Sequence, residues 1–149
     1  MKQRKLTWCI VSVTIVAVFC FVVSIPIVND FIANKTAKSI KVIELPDNTQ
    51  YIETFSKAGK LIGSGNGMQY LGGILVKSEL PLQDLQTYYS QYAKNDWECI
   101  VENQTDKNIS FVEHGTVSLN TDISGDTYYV VYSWGDNDSI YSELDLRGH

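Results

Sequence analysis

The chain opens with a short basic head followed by an uninterrupted apolar run. Lys2, Arg4 and Lys5 precede residues 6–28, a stretch of 23 residues without a charged side chain. As an α-helix this stretch would be about 34 Å long, and the hydrocarbon core of a bilayer is about 30 Å thick. A helix satisfies its own backbone hydrogen bonds in lipid. The pattern therefore predicts a transmembrane helix over residues 6–28, after a cytoplasmic head at residues 1–5.

A cleaved signal peptide is the alternative interpretation of this run. Signal peptides carry apolar regions of about 7–15 residues, followed by small residues two positions apart. Here the run is longer, and Ala33 and Ala37 lie four positions apart. An uncleaved anchor is therefore preferred, with cleavage left open. Because the basic head precedes the helix, we expect the N terminus in the cytoplasm and residues 29–149 outside the cell membrane.

The pattern becomes irregular after the apolar run. Residues 29–45 form a juxtamembrane connector whose apolar positions do not decide between a continuing helix and a stalk. Pro46-Asp47-Asn48 is a turn signal, and it predicts the start of an extracytoplasmic domain over residues 46–149. The end of this domain, from residue 135, is acidic and predicted to be loose, with four positions that can dock back onto it: Ile140, Tyr141, Leu144 and Leu146.

Within the domain the pattern predicts short strands around one helix. Proline in the first turn and apolar residues at helical spacing (Leu82, Leu85, Tyr89) predict a helix over residues 81–95. Aromatic and β-branched content predicts strands at 51–56, 61–63, 68–77, 97–101, 109–112, 116–121 and 127–134. A turn is predicted at 57–60, where Gly59 supplies a positive φ. This order predicts an α+β fold, a two-layer sandwich in which one main helix covers an antiparallel sheet.

Charge narrows the classes of partner. From Asn29 onward the chain has 9 basic and 17 acidic residues, and this net charge of −8 argues against nucleic-acid binding. The balance is +2 over residues 29–78 and −10 over residues 79–149. Solubility alone explains this asymmetry, and a basic region facing anionic lipid with an acidic face for a cationic partner fits it too. Besides the bilayer around residues 6–28, we expect a protein partner in the cell envelope.

A cluster of glycines is the strongest candidate for a ligand-binding loop. Gly63, Gly65, Asn66 and Gly67 could present backbone N–H groups to an anion. A Walker loop needs Gly-Lys-Ser/Thr, and a dinucleotide fingerprint needs a following helix, and neither is present here. A bulge or hairpin loop that requires positive φ is the simpler interpretation.

The sequence indicates no catalytic, cofactor or metal site. The two histidines, His114 and His149, have no paired spacing, and no Cys-x-x-Cys occurs. Asp136-Asn137-Asp138 lacks the Gly and Glu of a calcium-binding EF-hand loop. Cys99 lies in a predicted strand as a small buried residue, or it could bridge two chains as a dimer outside the cell. The sequons at Asn34, Asn103, Asn108 and Asn137 matter only in a eukaryotic secretory pathway.

Four segments together resemble small uncharacterised membrane-anchored or lipoprotein-like α+β domains of Gram-positive bacteria. These segments are Tyr51-Ile52-Glu53-Thr54-Phe55, the loop over 63–67, the helix over 84–92 and Trp97-Glu98-Cys99. The resemblance covers residues 46–134. It implies a location in the bacterial envelope and no enzymatic activity, and it supplies no site residues.

The sequence therefore favours a single-pass anchored, non-enzymatic interaction or accessory domain. A small-ligand sensor that uses residues 63–67 and nearby aromatics is the second hypothesis, and an enzyme is the third. Partner, ligand and oligomeric state lie beyond the sequence.

Overall fold

The computed structural model describes residues 2–93, 98–125, 127–135 and 137–149. The elements in chain order are α1 (Lys2–Lys41), β1 (Thr49–Gly59), β2 (Gln69–Ser78), α2 (Leu82–Ser90), β3 (Ile100–Asn103), β4 (Tyr128–Gly135), α3 (Ile140–Leu144) and a 3-10 turn at Leu146–Gly148. The predicted helix end at residues 94–95 and the strand start at Trp97 lie outside the described residues.

The strands form one four-stranded antiparallel sheet in the order β1-β2-β4-β3. The chain runs from β2 through α2 to β3, and β4 then inserts between those two strands. Because both pair antiparallel with β4, β2 and β3 are parallel to each other. The α+β class and the antiparallel sheet that the sequence predicts are confirmed.

Helix α1 is a single helix of 40 residues that continues through the predicted connector. Its N-terminal part exposes its apolar side chains, for example Val13 and Phe19. Its C-terminal part is an element of the core, because Ala33, Ala37 and Ile40 are fully buried. Within the described chain, α1 is the one helix long and apolar enough to cross a membrane.

Small side chains let α1 lie directly on the sheet. A Cβ added at Gly72 in β2 would collide with the backbone of Ala33 and Ala37, and one at Gly135 would meet the Thr36 hydroxyl. The helix backbone therefore approaches the strand backbone at a distance that only glycine permits. The main covering helix is consequently α1, whereas the sequence pattern predicts residues 81–95 for this role.

Helix α2 packs beside α1 on the same face of the sheet. Leu85 and Tyr89 are buried and share a cluster with Val101 of β3 and Val131 of β4. Its predicted range, 81–95, is longer than the helix found, Leu82–Ser90.

The opposite face of the sheet is covered by irregular chain between β3 and β4. Ile109, Val117 and Leu119 are buried there against Leu75 and Val130. The predicted strands at 109–112 and 116–121 are therefore wrong. The ladder pairing described in this region is one isolated bridge, between Asn108, just before the first predicted strand, and Ser118 in the second. Their alternating apolar residues are explained by burial against the sheet without strand partners.

The first hairpin also differs from the sequence prediction. Lys57 and Gly59 continue β1, since they pair with Leu71 and Gln69 of β2, and no turn forms at 57–60. Residues 61–63 are loop, not a return strand. The pairing to β2 spans ten residue pairs and extends β1 to Gly59, beyond the point where local turn residues would end it.

Candidate functional site

The glycine loop lies at the end of the sheet from which α1 leaves toward its exposed N-terminal part. It joins the end of β1 to the start of β2, where Tyr70 donates a hydrogen bond to Asn29 of α1. Gly63 (φ +73°) and Gly67 (φ +142°) have positive φ. The structure therefore gives two of the predicted loop glycines a conformational role.

Several backbone N–H groups of the loop already donate hydrogen bonds to side chains of the protein. The Gln69 side-chain oxygen accepts from the N–H groups of Leu61 and Ile62 at 2.7 and 2.8 Å. The Glu113 carboxylate accepts from Gly63 N–H at 2.8 Å. A carboxylate thus already occupies part of the surface that an anion would use, and it would repel one.

The four predicted ligand-loop residues do line a common depression. Gly63, Gly65, Asn66 and Gly67 border an open surface depression of about 640 Å³ together with Glu113. Ligand binding by this loop stays a prediction.

A buried polar cluster lies next to this loop, and no local sequence pattern predicts it. Asn29 is fully buried; its amide donates to Asp145 Oδ2 at 2.7 Å and to the Tyr141 carbonyl at 2.9 Å. Its side-chain oxygen accepts from the Tyr70 hydroxyl at 2.8 Å. Every polar atom of this buried amide therefore has a partner on the domain.

Arg147 extends the cluster to the surface of α1. Its guanidinium donates to Asp145 Oδ2 and to Asp30 Oδ1, both at 2.8 Å, and to the Pro26 carbonyl at 3.2 Å. The hydrogen bonds from Arg147 and Asn29 lower the pKa of Asp145 to about 2, although burial of the carboxylate acts in the opposite direction and raises it. The same carboxylate raises the pKa of Arg147.

Burial raises the pKa of the Tyr70 hydroxyl, which therefore stays protonated and able to donate. The polar cluster (Asn29, Asp30, Tyr70, Asp145 and Arg147) therefore joins α1, β2 and the C-terminal segment by ion pairs and hydrogen bonds.

The C-terminal segment is structured and docked. Ser139 caps α3 by accepting from Ser142 N–H, and Asp145 accepts from Arg147 N–H in the following turn. The Lys60 and Gly67 N–H groups donate to the carbonyls of residues 147 and 148 at 2.7 and 2.6 Å. Of the four positions that the sequence offered for docking, Tyr141 contacts α1, with its ring centroid 5.8 Å from that of Phe21.

The remaining reactive side chains have contacts that suit structural roles. Burial raises the pKa of the Cys99 thiol to about 12, so the thiolate needed for nucleophilic attack is scarce at neutral pH. The imidazole of His114 is exposed and bonded to the Gly63 carbonyl, and that of His149 is bonded to the Glu143 carbonyl. Among the residues that the structure describes, no three His, Cys, Asp or Glu side chains are grouped to hold a metal ion.

The comparisons with known proteins find no match to this chain, whether among family models, curated proteins or solved structures.

Proposed function

We propose that the protein is a single-pass membrane-anchored, non-enzymatic domain that acts as an interaction or accessory module on the outer face of a bacterial cell envelope. One observation carries this proposal: α1 exposes an apolar N-terminal part and buries its C-terminal part in the domain core. The anchor and the domain then share one helix. Such a helix holds the domain in a fixed position against the membrane, which suits a module that presents a surface to a partner.

Docking of the C-terminal segment supports an uncleaved anchor. Tyr141 packs against Phe21, and Arg147 donates to the Pro26 carbonyl, so the folded domain uses residues of the predicted span itself. Cleavage at the end of the span would remove both contacts. A signal peptide, in contrast, needs no packing against the mature protein.

The chemistry of the described side chains supports a non-enzymatic role. Cys99 has a raised pKa, and both histidines bond backbone carbonyls instead of a nucleophile. Nucleophilic catalysis requires a base within hydrogen-bond reach of an activated nucleophile.

The end of the sheet opposite the anchor is the surface that a partner would meet. Four exposed carboxylates lie there, around the start of β1 and the end of β2: Glu44, Asp47, Glu79 and Asp84. Two exposed lysines, Lys41 and Lys77, lie at the same end, so these six groups together have a net negative charge. A cationic envelope protein fits this charge.

Protease treatment of intact cells, combined with fractionation, tests the location. The chain would carry an epitope tag after His149. We expect full-length chain in the membrane fraction and a tag that external protease removes. A soluble, shortened chain would contradict the anchor, and a protected tag would contradict the outward orientation. Once the location is established, chemical crosslinking of the full chain in the same cells should capture an envelope protein. Failure to capture one would count against an interaction module.

A further inference from the structure

The C-terminal segment is the part of the folded domain nearest the N-terminal half of α1. Tyr141 contacts Phe21 through its ring and Asn29 through its carbonyl. Phe21 lies eight residues before Asn29, which is about 12 Å along a helix. Helix α3 therefore lies beside residues 21–29 of α1, on the anchor side of the sheet.

This segment also concentrates the exposed apolar side chains of the domain. After α1, the large hydrophobic residues that the described chain exposes are Val42, Ile140, Leu144 and Leu146. Three of them fall within seven consecutive residues, and Leu146 is 86% exposed. A water-exposed surface segment gains nothing from such a cluster, whereas a segment beside a lipid surface buries it.

The charged members of the polar cluster limit how deep the bilayer can reach. Asp30 and Arg147 form an exposed ion pair, which hydrocarbon would disfavour strongly. The outer boundary of the hydrocarbon therefore lies on the N-terminal side of Asp30. Residues 6–24 would be about 28 Å long as a helix, which already matches a hydrocarbon core of about 30 Å.

We propose that the segment from Ile140 to Leu146 is a second membrane contact, in which Ile140, Leu144 and Leu146 insert into the headgroup and acyl boundary of the bilayer that α1 crosses. Tyr141 then lies beside Phe21 at the interface, a depth at which tyrosine is favoured. The inference rests on the proposed anchor. It adds that the span ends near Ser24 and that the bilayer holds the domain at two places.

Site-directed spin labelling of the full-length chain in phosphatidylethanolamine–phosphatidylglycerol vesicles tests this contact. Single nitroxide labels would be placed at Leu144 and Leu146, with Asp47 as the aqueous control and Val16 as the control within the span. All four side chains are exposed, so the labels leave the core intact. The starting chain would carry alanine in place of its cysteines: Cys9, Cys20 and Cys99.

The readout is the collision rate of each label with oxygen, which enriches in lipid, and with a water-soluble nickel chelate. We expect the labels at Leu144 and Leu146 to lose nickel collisions and gain oxygen collisions relative to Asp47. Aqueous behaviour at both leucines with a lipid signal at Val16 would overturn the second contact and leave the anchor standing. An aqueous signal at Val16 would overturn the proposed anchor and this inference with it.

Discussion

Gly72 determines how closely α1 approaches the sheet. A Cβ at this position would meet the backbone of Ala33 and Ala37, neither of which can rotate away. We expect Gly72→Ala to lower the free energy of unfolding by about 1–3 kcal/mol, the usual cost of overpacking a filled core. Urea denaturation of the full chain in detergent micelles, followed by near-UV circular dichroism, measures this change.

Gly65 supplies the matched control for that substitution. No atom lies within 4 Å of a Cβ built there, and its φ is not in the left-handed region. Gly65→Ala should therefore change stability by less than about 0.5 kcal/mol. Equal losses for the two variants would show that α1 does not press on Gly72.

Asp145 makes the docking of the C-terminal segment sensitive to acid. Its pKa is about 2 in the folded protein and 3.8 for an ordinary aspartate, because Arg147 and Asn29 bond the charged form. A folded-state pKa below the unfolded one stabilises the fold fully above about pH 4, and this contribution is lost as pH falls through about 2. We expect Asp145→Asn to be less stable than the native chain at pH 7 by about 1–2 kcal/mol.

The sign of this effect is tested by repeating the denaturation from pH 7 to pH 2. The stability gap between the native chain and Asp145→Asn should shrink below about pH 4. Glu143→Gln, an exposed carboxyl two residues away, is the control and should show no such gap. A gap that stays constant down to pH 2 would mean that the Asp145 charge contributes nothing to stability.

The polar cluster also shows which site residues the sequence could not supply. Asn29 and Asp145 are 116 positions apart, and no local pattern pairs them. The one signal was indirect, since Arg147 is the single Lys or Arg after Lys107 in an otherwise acidic region. The glycine loop, in contrast, could be found from the sequence because glycine spacing is a local property, although its neighbours Gln69 and Glu113 could not.

At the scale of elements, local pattern identified segments better than it identified their boundaries. The predicted strands at 51–56, 68–77 and 127–134 contain the centres of β1, β2 and β4, since aromatic and β-branched residues favour strands that are buried on a sheet. The irregular chain at 109–121 has the same apolar alternation, but among the described residues its ladder pairing is limited to the isolated bridge Asn108–Ser118. Pairing with a neighbouring strand is a tertiary property that local pattern does not show. The role of α1 depends on Gly72 and Gly135 lying together, which only the sheet register shows.

Burial of the C-terminal part of α1 predicts that a fragment needs this part of the helix in order to fold. Ala33, Ala37 and Ile40 are fully buried on the sheet, and a fully buried isoleucine alone contributes about 1.5–3 kcal/mol. A fragment of residues 29–149 keeps this helical segment and the Asn29 bonds to the domain. We expect it to unfold cooperatively in urea. A fragment of residues 46–149, the domain predicted from the turn at Pro46, loses the segment and should show no cooperative transition.

Analytical ultracentrifugation shows whether the fragment of residues 46–149 fails to fold and associates, or folds as a monomer of lower stability. The shorter fragment exposes the face that α1 covers, including Ile74 and Gly72, and should associate or precipitate. Cooperative unfolding of the shorter fragment at the midpoint of the longer one would show that residues 29–45 are a dispensable stalk.

At the scale of the whole molecule, the continuous helix α1 limits how the domain can move relative to the N-terminal part of that helix. A domain joined to its anchor by a flexible linker samples many heights and tilts above a membrane. Here α1 is continuous, and the interior proline, where helices usually kink, is bonded through its carbonyl to Arg147. Three charged residues of the polar cluster, Asp30, Asp145 and Arg147, therefore hold α1 against the domain at the position where the helix would otherwise bend most easily.

Rigidity of this kind predicts a narrow distance between the two ends of the molecule. Spin labels at Lys5 and Asp47, in the cysteine-free chain in nanodiscs, bracket a helix that is about 54 Å long between Lys5 and Lys41. Double electron–electron resonance should give one narrow distance distribution for this pair. Five Gly/Ser residues inserted between Ser24 and Ile25 interrupt the helix and should broaden it. A distribution equally broad without the insertion would mean that the domain swings freely, and a freely swinging domain cannot present one fixed surface to a partner.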